Sequence, residues 1–134
     1  MLADPANELV PFLGDYVAFT LNLGKQYGLH PQTTSTFRSL AKQRDLRDAY
    51  LASLQDGTYG TPGGVEYPAN APGDSSHNWS VGWDSWVPEG EWDLWNEIRA
   101  YVGWGLSAND RVHAELPNWR SYRDQLTALG YAPR

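Results

Sequence analysis

Two histidines and an aspartate in the second half of the chain are side chains of the types that a catalytic zinc site uses. His77 closes a glycine- and proline-rich stretch, at Pro72-Gly73-Asp74-Ser75-Ser76-His77. Asp84 follows it, and His113 stands three residues after Asp110. Two neutral imidazoles and a carboxylate hold zinc while leaving its fourth position for water. Water there is acidified to a pKa near ~7 and becomes a nucleophile at neutral pH. A carboxylate that does not bind the metal must then take the proton and pass it to the leaving amine; Asp110 is the best-placed candidate. Spacing alone leaves this reading open against packed or surface histidines. His30, in Gly-Leu-His-Pro, has no carboxylate partner at ligand spacing and reads as structural or solvent-exposed.

Composition narrows the alternatives. The chain has 134 residues, no cysteine, three histidines and seven tryptophans, and ten Lys+Arg against sixteen Asp+Glu give a net charge of −6. That length suits one domain, 1–134. Without cysteine there is no disulfide framework, thiolate metal site or cysteine nucleophile. The acidic balance argues against nucleic acid, which calls for a clustered basic face. No stretch approaches the ~18–20 apolar residues of a membrane span. Met1 to Asn7 lack a basic n-region, so we expect no secretory signal and synthesis in the cytoplasm. A monomer is expected.

The elements that must position these residues are short. Residues 7–23 place Leu9, Phe12, Leu13, Tyr16, Val17 and Phe19 at helical spacing, with Gly24 as a stop. Residues 33–38 read as a strand. A helix over 40–54 carries a stripe of Leu40, Leu46, Ala49, Tyr50 and Leu54, with Ser39 as N-cap and Gln43 assisting. Residues 55–76 form a long loop, of the kind that is usually functional or mobile. Strands are expected over 79–86, with a close backbone approach at Gly82, and over 111–116. Helices are expected over 90–101, buried through Trp92, Trp95, Ile98 and Val102 and stopped by Gly103, and over 118–129, capped by Asn118 and ended by Gly130. The fold class is α+β, a small antiparallel sheet flanked by helices.

At these residues the sequence resembles the zinc D-alanyl-D-alanine carboxypeptidases of the VanY type, a family that includes the L-alanyl-D-glutamate endopeptidases of phage endolysins. The family carries Ser-x-His-x-x-Gly-x-Ala-x-Asp, then Glu- or Asp-x-x-His, after an upstream Ser-x-Tyr/Phe-Arg-Ser and a Gln. Here these are Ser75-Ser76-His77 with Asp84, Asp110-Arg111-Val112-His113, and Thr34-Ser35-Thr36-Phe37-Arg38-Ser39 with Gln43. The match spans roughly residues 33–116. The departures are Ser80 at the family's glycine, Gly82 at its alanine, and Asp110 where Glu is commoner, a form that tilts the resemblance toward endopeptidases.

The resemblance implies a Hedgehog/D-Ala-D-Ala peptidase-like fold and a zinc ion held by His77, Asp84 and His113. It implies Asp110 as general base and then acid, and Arg38 facing the reacting carbonyl or a substrate carboxylate, where a fixed guanidinium favours a developing oxyanion. Ser75 would bind substrate, and Gln43 would contact substrate or cap its helix. The substrate would be a peptidoglycan stem peptide or muropeptide, met at the cell wall after release, as for a phage lysin or virion-borne enzyme. The alternative is a degenerate wall-binding or phage-tail module, which the Ser80 departure and the acidic charge motivate. The tryptophans divide. Trp92, Trp95 and Trp119 read as core. Trp79, Trp83 and Trp104 read as a dry shell behind the ligands, or as part of an exposed aromatic wall with Trp86. Glu115 is either a hydrogen-bond partner of a ligand or a solvated strand residue.

Overall fold

The computed structural model describes residues 11–133. In chain order it contains α1 (Pro11–Gln26), β1 (Gln32–Ser35), α2 (Leu40–Asp56), a single 3-10 turn (Ser76–Trp79), β2 (Gly82–Trp86), α3 (Trp92–Val102), β3 (Gly105–Ser107), β4 (Asp110–Glu115) and α4 (Trp119–Ala128). The four strands form one sheet, ordered β1-β2-β4-β3, with every neighbouring pair antiparallel. This is the expected α+β architecture.

The sheet has two unlike faces because side chains alternate along a strand. One face carries Trp83 and Ala114, both fully buried and paired across β2 and β4. Against it pack α1 and α3, through Leu13, Val17, Trp95 and Ile98. Trp83 meets Trp95 edge-on at 6.0 Å and Trp104 at 5.0 Å. Each of these three indoles has an acceptor for its N–H: Trp95 donates to Ser85 Oγ, Trp104 to Thr20 Oγ1 and Trp83 to Thr33 Oγ1. These three tryptophans thus supply core volume without leaving their polar atoms dry and unpaired.

Several boundaries differ from the sequence reading. Gly24 does not stop α1, which runs on to Gln26. Gly24 is instead where α1 meets α3, since a Cβ there would fall 2.7 Å from the Trp95 ring. Tyr16 and Phe19 are more than half exposed, so the apolar stripe of α1 is narrower than its spacing suggests. The expectations for Leu9, and for the side chain of Phe12, lie outside the described residues. The first strand ends at Ser35, and 36–39 lead irregularly to Ser39, which caps α2 by accepting from Lys42 N–H. The α2 stripe is not core: Leu54 is half exposed, and the buried positions are Gln43 and Ser53. Residues 79–81 are not strand but the end and exit of the 3-10 turn. The short β3 was not expected. Gly103 ends α3 in the left-handed conformation, as read from the sequence, whereas Asn118 begins α4 without a side-chain cap.

Candidate metal centre

The second face of the sheet holds the site. Asp84 on β2 stands directly opposite His113 on β4, and cross-strand partners project to the same face. His77 comes from the 3-10 turn, which lies over that face because Gly82 has no side chain. A Cβ on Gly82 would strike Ser76 Oγ and sit 2.9 Å from the His77 backbone nitrogen. The close approach read at Gly82 therefore delivers His77 to the sheet. Ser80, at the family's glycine position, ends the turn with φ of 59°. The departure is a serine carrying a left-handed backbone.

One ligand atom from each of His77, Asp84 and His113 lies within 4.8 Å of the others. His77 Nε2 is 3.1 Å, and His113 Nδ1 2.9 Å, from the same oxygen, Asp84 Oδ1. The opposite nitrogens are also committed. His77 Nδ1 donates to the Thr36 carbonyl, and His113 Nε2 lies 2.7 Å from Glu115 Oε1 and 3.2 Å from Ser76 Oγ. A carbonyl accepts only, so it fixes the proton on His77 Nδ1 and leaves the Nε2 lone pair facing a carboxylate oxygen. Two lone pairs at that distance need a proton or a metal ion between them. His113 likewise has a carboxylate at each nitrogen. The donor set fits a metal ion, with the outer hydrogen bonds that orient metal-binding imidazoles.

The electrostatics agree. Burial pushes the Asp84 carboxyl up, but hydrogen bonds and charge from His113 and His77 prevail and hold it well below the usual carboxylate range. Burial works against charge on His113, but Asp84 and Glu115 outweigh it and push its pKa up to about 9. Asp110 is raised, chiefly by burial and then by the charge of Asp84. Its Oδ1 is buried without a hydrogen-bond partner, a free acceptor at the head of β4.

These residues line one cleft of about 490 Å³. Arg38, Gln43, Ser75 and Asp110 line it with the ligand set, so all seven residues singled out by sequence share one depression. Arg38 donates to Gln43 Oε1 at 2.9 Å and stands 3.9 Å from Asp84 Oδ2. Gln43 is 1 % exposed, and its amide donates to the Asn70 carbonyl at 2.7 Å. Its side chain thus joins Arg38 to the long loop and caps nothing. Ser75 Oγ accepts from His77 N–H and caps the 3-10 turn. The loop forms one wall through residues 65–70, tied down by Gln43 and by Arg47, which donates to the Ala69 carbonyl. No tryptophan lines the cleft; Trp79, Trp83 and Trp104 are buried, and only Trp86 among the four is exposed. His30 is exposed and pairs with Glu91 at 2.9 Å. Sequence reasoning left Glu115 open. Its two-residue spacing from His113, which puts both on one strand face, is the signal that identifies it. The Thr36 carbonyl, a backbone group, had no signal at all.

No family model and no curated protein matches the sequence. Solved structures do match. The chain superposes on VanYB in complex with D-alanine-D-alanine with a TM-score of 0.67 at 14% identity, covering 92% of this chain and 79% of that one. A zinc complex of a variant of the vancomycin-resistance D,D-pentapeptidase VanY gives 0.58 at 13% identity over 98% and 86%. The LD-carboxypeptidase LdcB gives 0.61 at 12% identity over 87% and 64%. The fold is that of these peptidases. Among the described residues, no helix is long and apolar enough to cross a membrane.

Proposed function

We propose that this chain is a zinc-dependent peptidase acting on peptidoglycan stem peptides. The observation that carries the reading is the convergence of His77, Asp84 and His113, with their outer nitrogens already committed, beside Asp110, whose Oδ1 has no hydrogen-bond partner. The same fold occurs in the zinc complex of VanY and in VanYB holding D-alanine-D-alanine. A bound zinc supplies Lewis acidity, lowering the pKa of water at its open position to near ~7. The protein's own residues do the rest. Asp110 accepts a proton at its free Oδ1 and returns it to the leaving nitrogen. Arg38, held by Gln43, presents its guanidinium to the oxygen on which negative charge develops. Ser75 and the 65–70 wall hold the peptide backbone.

Within that class we favour an endopeptidase. Among the described residues, Arg38 is the only Lys or Arg lining the cleft, while Glu66, Asp110 and Glu115 add negative charge. A carboxypeptidase must hold a chain-terminal carboxylate as well as the developing oxyanion, and one cation serves one of them. The carboxypeptidase reading rests on the VanY-type and LdcB folds.

The test is zinc stoichiometry together with mass spectrometry of digested muropeptides. We expect one zinc per chain and cleavage inside the stem peptide. Loss of a single terminal D-alanine would establish the carboxypeptidase instead. Absence of metal, or activity untouched by His113→Ala, would sink the zinc reading. Asp110→Ala should keep the metal and lower turnover about a hundred- to ten-thousand-fold.

A further inference from the structure

Arg99, on α3, is fully buried, yet it lies on the core side of the sheet and the chemistry above does not use it. Its guanidinium reaches the backbone of β4. Nη1 donates to the Val112 carbonyl at 3.2 Å and Nη2 to the Arg111 carbonyl at 2.7 Å, while Nη2 also donates to Asn96 Oδ1 at 2.6 Å and Nε has no partner. The rings of Trp92 and Trp95 flank it, with centroids 6.0 and 5.8 Å from its central carbon.

The two carbonyls are those of the residues between Asp110 and His113. Sheet pairing secures the rest of β4. On the β2 side the register covers His113, Ala114 and Glu115; on the β3 side it covers Glu115 and Ala114, then shifts irregularly to pair Ser107 with Asp110. Among the described residues, no register pair includes Arg111 or Val112. The segment that sets the distance from the Asp110 carboxylate to the His113 imidazole therefore lacks a register pair of its own. Two side-chain hydrogen bonds from one rigid, planar group stand in its place, and a fork of that geometry is what arginine offers and lysine does not.

We propose that Arg99 is a positioning residue that clamps the Arg111 and Val112 carbonyls and so fixes Asp110 relative to His113. The clamp itself follows from the backbone geometry; its consequence for turnover rests on the peptidase reading. Ligand binding is anchored separately, because His113 is held by its pairing with Asp84 on β2. Loss of the clamp should therefore affect turnover and leave metal affinity in place.

The test compares Arg99→Lys, Arg99→Met and the milder Asn96→Ala, which removes the guanidinium's helix-side acceptor at a half-buried position. Ile98→Val serves as a control for α3 packing. Backbone amide exchange is read across residues 110–115, along with zinc affinity by chelator competition and kcat and KM on muropeptides. We expect exchange at Asp110 to Val112 to rise tenfold or more in Arg99→Met, less in Arg99→Lys and Asn96→Ala, with Ala114 and Glu115 little changed. Zinc affinity and KM should stay within about threefold while kcat falls tenfold or more, and Ile98→Val should reproduce none of this. If a folded Arg99 variant exchanges residues 110–112 as wild type does, or loses kcat no more than Ile98→Val, the clamp is wrong. A wild-type protein that binds no zinc and cleaves nothing would refute the peptidase reading, and the exchange measurement would still judge the clamp.

Discussion

Removing the metal should leave a protein whose stability falls as the solution becomes alkaline. His113 lies between Asp84 and Glu115, at 2.9 and 2.7 Å, with its side chain 14 % exposed. These carboxylates favour the imidazolium, so the pKa rises from 6.5 in the unfolded chain to about 9 in the folded one. A group whose folded pKa is raised stabilises fully below its unfolded value, and that contribution disappears as pH climbs through the folded value. The gap from 6.5 to about 9 corresponds to about 3 kcal/mol, or roughly 10 °C in melting temperature for a chain of this length. Urea or thermal melts of metal-free protein from pH 6 to 10 should show this decline. Glu115→Gln, which removes one of the two carboxylates, should shrink it. Zinc should reverse the trend, because it takes the nitrogen a proton otherwise occupies and its stabilisation grows as pH rises. Metal-free stability that is flat or rises between pH 6.5 and 9 would refute the paired-carboxylate account of His113.

Two further substitutions test the approach of the 3-10 turn to the sheet. Gly82→Ala puts a Cβ against Ser76 Oγ and the His77 backbone nitrogen. It should cost about 1–3 kcal/mol in chemical denaturation and weaken zinc binding by displacing His77. Ser80→Gly removes the Cβ from a left-handed residue, φ 59°. It should raise stability by ~0.5–1 kcal/mol in the same assay and leave zinc affinity as it was.

How much of this was legible beforehand varies by residue, and the reasons are physical. Ser39, Gly82 and Gly103 were read correctly because a cap, a close backbone contact and a left-handed stop each impose a local demand that few residue types meet. Gly24 was misread because a glycine at the end of an apolar stripe looks the same whether it ends a helix or admits the Trp95 ring. The α2 stripe was misread because amphipathicity does not reveal that a helix sits at the rim, with Gln43 rather than its leucines turned inward. The three-residue β3 is too short to have a period.

The sequence by itself determined the chemistry available. An acidic chain without cysteine has only histidine and carboxylate to offer a zinc ion, and residue type is written in the sequence. Strand alternation then allows Asp84, His113 and Glu115 each a face. Only the tertiary structure decided that these faces coincide, because the register of β2 against β4 is a long-range pairing. It alone brought in the partners that no side-chain pattern encodes: the Thr36 carbonyl on His77, and the Arg111 and Val112 carbonyls under Arg99. Every residue carries the same backbone groups, so only the folded chain singles out which of them bear on the site.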